Sequence, residues 1–145
     1  MMKEQVTQTQ ILKSFILDGK TVPVNFVEKQ QVKDGVLCDI YTFTEDDSCD
    51  LGIVTVEAGY KTPLQRILMG DKTVEGFLSG SGTLTVGSTE GKPKLYVFDT
   101  STVHNEVAVE VGQTMQWHAT GQDSLVFYEI CTPLYDDGRF ENLSE

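Results

Sequence analysis

GYKTPLQRILMGDKTVEGFLSGSG, residues 59–82, opens on a glycine turn, passes one proline and makes two short extended runs. Gly70-Asp71-Lys72 turns the chain between those runs, and Gly80-Ser81-Gly82 bends it into the next one, Thr83-Leu84-Thr85-Val86. Glycine supplies the backbone freedom that such tight turns need. The two runs are too short for helices, and no window of about 12 residues along the chain carries a helical apolar period.

The flanks continue the pattern. Upstream, Asp18-Gly19 and Asp34-Gly35 are turn signals around the β-branched run 21–27 and the run Val36–Phe43. Pro23 has no N–H to give to a ladder, which predicts an edge position for 21–27. Alternation puts Val36, Cys38 and Ile40 on one face. Residues 45–48 form an acidic loop before the run 51–58. Downstream, extended runs are expected over 94–98, 104–111, 114–119 and 125–131, with a turn-rich tail from Pro133 that packs back on the sheet. About ten short strands with glycine turns predict an all-β sandwich or barrel. The expected organisation is one domain over 1–145: a polar arm to about 14, a barrel over about 21–133 and a tail over 134–145.

Composition narrows the partners. The net charge of −11 disfavours nucleic acid, whose phosphates require Lys and Arg, and disfavours an anionic membrane surface. No run reaches the roughly 18 apolar residues of a membrane span. The polar start MMKEQVTQTQ does not resemble a secretory signal. Cys38, Cys49 and Cys131 are odd in number and lack CxxC spacing, which predicts free thiols in a reducing compartment, the cytoplasm.

The order of the pieces resembles the cupin superfamily of jelly-roll barrels. The first cupin motif runs G-x5-H-x-H-x3,4-E-x6-G. Gly59 stands at its start, Pro63 two residues before its first histidine position, and Phe77-Leu78-Ser79-Gly80-Ser81-Gly82 at its end. Val109-Glu110-Val111-Gly112-Gln113 is similar to the opening of the second motif, and residues 125–133 to the closing strand. The ligand positions depart from the family. Gln65 and Ile67 occupy the two histidine positions, Thr73 the glutamate position, and the loop that carries the third histidine is shortened. Isoleucine cannot ligate a metal. The resemblance therefore implies a cupin jelly-roll barrel without the usual metal centre, and no cofactor is expected. A divalent metal stays open through an atypical set of Gln65, Glu75, His118 and one more oxygen ligand.

Period two then supplies site candidates. If Gln65 and Thr73 point inward, as the motif positions do, Glu75 and Phe77 follow. A carboxyl inside a barrel is costly unless paired or protonated, and so is a candidate general acid or base. The competing reading places Glu75 outside, tied to Arg66. On the strand 114–119 two parities stay open. Either Gln116 and His118 face in, or Trp117 does, beside Met115. His104 reads as a surface histidine. On the last strand Val126, Tyr128 and Ile130 are expected to face the core, bringing the Tyr128 hydroxyl inward and leaving Glu129 outside. The catalytic candidates are thus Glu75, His118 and Tyr128, and the ligand-binding candidates Gln65, Thr73, Phe77, Gln116 and Trp117.

Three functions remain open. The first is acid–base turnover of a sugar or other small metabolite, as in isomerases and epimerases. The second is non-catalytic ligand binding or sensing. The third is metal-dependent oxygenase or lyase chemistry. The expected partners are a small-molecule ligand and a second copy of the chain, paired through 21–27.

Overall fold

The computed structural model of the chain describes residues 11–70, 72–88, 91–102, 105–132 and 139–143. His104 and the tip of the tail, 133–138, lie outside them. The described residues form twelve strands: β1 (Ser14–Leu17), β2 (Lys20–Lys33), β3 (Val36–Phe43), β4 (Asp46–Val56), β5 (Gln65–Ile67), β6 (Lys72–Ser79), β7 (Gly82–Gly87), β8 (Lys94–Phe98), β9 (Glu106–Val109), β10 (Thr114–Ala119), β11 (Leu125–Thr132) and β12 (Phe140–Asn142). They make two antiparallel sheets, a seven-stranded one in the order β1-β2-β3-β4-β11-β6-β9 and a five-stranded one in the order β12-β5-β10-β7-β8. The chain crosses between the sheets repeatedly, which is the jelly-roll arrangement.

The inner faces of the two sheets meet in a core of Val36, Val56, Leu84, Val109, Ala119 and Leu125, all fully buried, with Ile67, Val54 and Val86 around them. An aromatic row crosses this core. Phe77 stacks on Phe98, Phe98 tilts against Trp117, and Trp117 stacks on Phe127 with centroids 4.3 Å apart. Such contacts add about 0.5–1.5 kcal/mol each beyond area burial.

A second apolar cluster lies on the opposite face of the seven-stranded sheet. It joins Phe15, Val24, Tyr41, Leu51, Tyr128 and Ile130, among others. The Phe15 ring meets Tyr128 edge-on at 5.1 Å, and the Tyr41 hydroxyl accepts the Leu12 N–H. The large sheet is therefore buried on both faces over part of its area. This corrects the expected orientation of β11. Leu125, Phe127, Glu129 and Cys131 face the barrel interior, while Val126, Tyr128 and Ile130 face the second cluster.

The N-terminal hairpin also revises the expected edge. Within β2, residues 20–23 pair with β1 and residues 24–33 pair with β3, so β1 and not β2 stands last in the strand order. Pro23 is tolerated there because it stands outside the β3 ladder, where its carbonyl accepts the Thr44 N–H at 3.0 Å and no donor is required of it. Of the tail, the described residues include β12, which pairs with β5 and packs Phe140 against the core.

The bend at Gly80 depends on glycine. Its φ is +87°, and a Cβ there would come within 2.2 Å of the Ser124 carbonyl oxygen. The bend lets β6 leave the large sheet and β7 enter the small one.

Candidate functional site

Between the sheets lies a cavity of about 370 Å³. Trp117 and Phe127 form an aromatic wall, with Met115, Val54 and Ile40 as further apolar lining. Three carboxyl residues also line it, Asp50 from β4, Glu75 from β6 and Glu129 from β11, together with the thiols of Cys38 and Cys131.

Glu75 is the anchor of this group. As period two predicts, Thr73, Glu75 and Phe77 are all buried, and Glu75 is 0% exposed. Trp117 lies beside Met115 on the inner face, which settles the open parity of β10, and its Nε1–H donates to Glu75 Oε1 at 2.7 Å. Arg66 plays no part here; it donates to the Gly112 carbonyl. Among the described residues no N–H or O–H reaches Glu75 Oε2.

Directly opposite Glu75 in the β6–β11 ladder stands Glu129. Facing residues of an antiparallel pair hold their Cβ atoms about 4.5–5.5 Å apart, so two carboxylates there repel strongly unless they share a proton. Burial, then the Glu129 charge and the hydrogen bond to it, hold the Glu75 carboxyl well above the usual carboxylate range; the Trp117 N–H opposes this more weakly. Burial also raises Glu129. There the hydrogen bond with Glu75 pulls the other way, Asp50 pushes up, and Arg139 and the Cys131 thiol pull down. The stronger rise at Glu75 makes it the member of the pair that favours the protonated form. Glu75 is sealed while Glu129 keeps partial exposure, so Glu129 is the carboxyl a ligand meets.

The two thiols are poor nucleophiles. Burial, aided by the nearby Glu129 charge, raises Cys38 to about 12 and moves Cys131 up as well. A thiol must ionise to attack or ligate.

The other expected site residues separate. Gln65 lines the cavity, with its amide donating to Asn142 Oδ1 at 3.0 Å. Thr73 is buried and accepts from Arg139 Nη2 at 3.2 Å, and Phe77 lies in the aromatic row behind the cavity wall. Gln116 and His118 project from the opposite face of β10; the Gln116 amide donates to the Thr62 carbonyl. Tyr128 faces the second cluster, where its hydroxyl is hydrogen-bonded to Glu106. The cavity therefore keeps Glu75, Trp117 and Gln65 and does not include His118, Gln116 or Tyr128. Glu129 and Cys131 are the residues that sequence reading put elsewhere. The signal for Glu129 was its place directly across the ladder from Glu75, and that register is set by the bulge between Val126 and Phe127.

The three-histidine, one-glutamate set of a cupin metal centre does not fit here. Ile67 is fully buried and apolar, Gln65 is bonded to Asn142, and Thr73 already faces a guanidinium. His118 points away from Glu75, which also dismantles the atypical set of Gln65, Glu75 and His118. Among the described residues no group of three or more His, Cys, Asp or Glu is arranged to hold a metal ion.

These features define a two-sheet jelly roll with an acidic, aromatic-walled cavity between the sheets. Solved structures with the cupin fold resemble it. One is the capsular polysaccharide assembling protein CapF from Staphylococcus aureus, with a TM-score of 0.68, 14% identity, and 88% of this chain covering 36% of that one. Another is the oxalate decarboxylase of Lactobacillus farciminis in its formate complex, at 0.66, 14%, 80% and 33%. A third is the oxalate decarboxylase of Bacillus subtilis at pH 4.6, at 0.65, 19%, 79% and 29%. The chain has the cupin fold, and it spans about a third of the length of these proteins. No family model and no curated protein matches it. No helix among the described residues is long and apolar enough to cross a membrane.

Proposed function

We propose that the chain binds a small metabolite in the barrel cavity and moves a proton on it by carboxyl acid–base chemistry, as an isomerase or epimerase does. The observation that carries this reading is the Glu75–Glu129 pair, two carboxyls directly opposite one another in the β6–β11 ladder and both lining the cavity, where burial raises each above the ordinary carboxylate range. Environments that separate two carboxyls into a proton holder and a proton acceptor are a recurrent way to run acid and base steps near neutral pH. In the proposed step Glu129 takes a proton from carbon next to a ligand carbonyl. The C–H electron pair moves into the C–C bond and the carbonyl pair onto oxygen, which takes a proton from the carboxyl pair, so that the intermediate is a neutral enol. The proton taken up by the pair then returns to carbon on the opposite face or at the neighbouring position. Glu75 acts as the positioning residue, holding Glu129 through its own proton, with Trp117 fixing Glu75 in turn.

The test is a thermal-shift screen of small sugars and amine- or carbonyl-bearing metabolites. Proton NMR in D2O of any ligand that binds would then follow exchange of its carbon-bound protons. Exchange with wild type that falls at least about 100-fold with Glu129→Gln supports the reading, since general acid–base groups contribute about 10²–10⁴-fold. Binding without exchange would leave a sensing barrel in its place.

A further inference from the structure

The charged lining of the cavity is acidic throughout. Its described lining includes three carboxyls and no Lys, Arg or His. The lining amides direct N–H groups elsewhere. Gln30 Nε2 donates to Glu28, Gln31 Nε2 to the Lys33 and Val36 carbonyls, and Gln65 Nε2 to Asn142. Trp117 Nε1–H is committed to Glu75 Oε1, and no N–H of the described residues reaches Glu75 Oε2, which is buried on a residue that lines the cavity. Arg139, the nearest cation to Glu129, does not line the cavity and is held by Thr73 and the Thr132 carbonyl.

We propose that the ligand is a small organic cation, an ammonium compound whose N–H groups reach the Glu75–Glu129 pair while its carbon skeleton lies against Trp117 and Phe127. The inference rests on the cavity being the ligand site and names the chemical class it takes. A carboxylate or phosphate entering here would meet the Glu129 carboxyl, with no Lys, Arg or His among the described lining, and that repulsion costs far more in a partly desolvated site than in water. An ammonium supplies the missing donors, and about 370 Å³ lies near the lower end of the usual range of small-ligand cavities, about 300–1,000 Å³. An amine-bearing sugar satisfies both this inference and the proton-transfer reading.

Binding and protonation are then linked. The groups facing Glu129 are Glu75 on β6, Asp50 on β4, Cys131 on its own strand, Cys38 on β3 and Arg139 before β12. A bound cation favours ionisation of the carboxyl pair, so a proton leaves it as the ammonium enters. Affinity therefore rises with pH for an amine that is charged throughout the range.

The probes are n-butylammonium, butyrate and erythritol, similar in size and opposite in charge or neutral. Isothermal titration calorimetry at pH 6.5 and pH 8, in phosphate and in the zwitterionic buffer MOPS, which carries no primary ammonium, reads affinity and proton release together. The expected result is n-butylammonium binding severalfold tighter at pH 8, with a proton released to buffer. Glu129→Gln should bind at least about 10-fold more weakly, and Asp123→Asn, an exposed control, should bind unchanged. Glu75→Gln, which keeps a hydrogen-bond donor beside Glu129, should bind without releasing the proton. Butyrate or erythritol binding as well as the amine would overturn the inference. So would amine binding indifferent to pH and to Glu129→Gln, which would reflect only the overall negative charge. Amine binding without carbon–proton exchange would sink the proton-transfer reading and leave this one standing. Exchange on a neutral sugar without amine binding would do the reverse.

Discussion

At the scale of the residue, Glu75 is where folding and chemistry conflict. Its carboxyl is protonated in the fold at pH values where the unfolded chain ionises it. A carboxyl whose folded value is raised contributes stability that is fully present below the ordinary value near 4.5 and is lost as pH rises through the raised value. Glu129 has the same sign. Denaturation midpoints should therefore fall from pH 5 to pH 8. Glu75→Gln should fall less steeply, because its amide keeps an acceptor for Trp117 and a donor for Glu129 without titrating. A midpoint curve for the variant parallel to that of wild type would show that the pair is not the titrating element. Trp117→Phe separates the donor from the ring: the stack on Phe127 survives, Glu75 Oε1 loses its N–H, and about 1–3 kcal/mol of stability should go with it. The sequence shows that Glu75 is inward by period and costly to bury. It does not show the partner, because the pairing of β6 with β11 joins residues 54 positions apart in a register shifted by a bulge.

At the scale of the element, β11 explains both what sequence reading caught and what it missed. Strand positions and glycine turns were legible because punctuation is local: Gly59, Gly70, Gly80 and Gly112 all take positive φ where turns were expected. The facing of β11 was not legible, because alternation identifies a core face only when the other face is polar. Here both alternating sets are largely apolar, and both are packed. The trace of the second packing is Gly76, opposite Tyr128 in the ladder, where a Cβ would meet the tyrosine ring at 2.0 Å. The ring lies on the bare glycine backbone of β6. Gly76→Ala should force Tyr128 off its seat and cost about 1–3 kcal/mol, the usual range for overpacking. Chemical denaturation of Gly76→Ala and of the double variant Gly76→Ala/Tyr128→Ala checks this. Much of the alanine penalty should disappear once the ring is gone, and two penalties that simply add would refute the contact.

At the scale of the whole molecule, the seven-stranded sheet is a shared wall. Its inner face carries Glu129 and the cavity, and its outer face carries the cluster that the N-terminal hairpin covers. The two faces alternate along the same strands, so Ile130 and Tyr128, facing the hairpin, flank Glu129 in β11. Clamping the outer face therefore fixes the backbone that aims the inner carboxyl. Phe15 is the hairpin's principal anchor, buried in the cluster and edge-on to Tyr128. Phe15→Ala should cost about 3–5 kcal/mol for the lost burial and the cavity left behind. It should also raise amide exchange along β11, since a strand held on one face opens more readily than one held on both. The cavity lining itself does not include Phe15, so ligand affinity measured well below the lowered melting point should fall only as far as β11 loosens. Hydrogen exchange read strand by strand separates the outcomes. Faster exchange confined to β1 and β2 would mean that the hairpin is an appendage, and that the barrel holds Glu129 and Glu75 in register without it. Faster exchange reaching β11 and β6 would make the hairpin part of the apparatus that keeps the two carboxyls face to face.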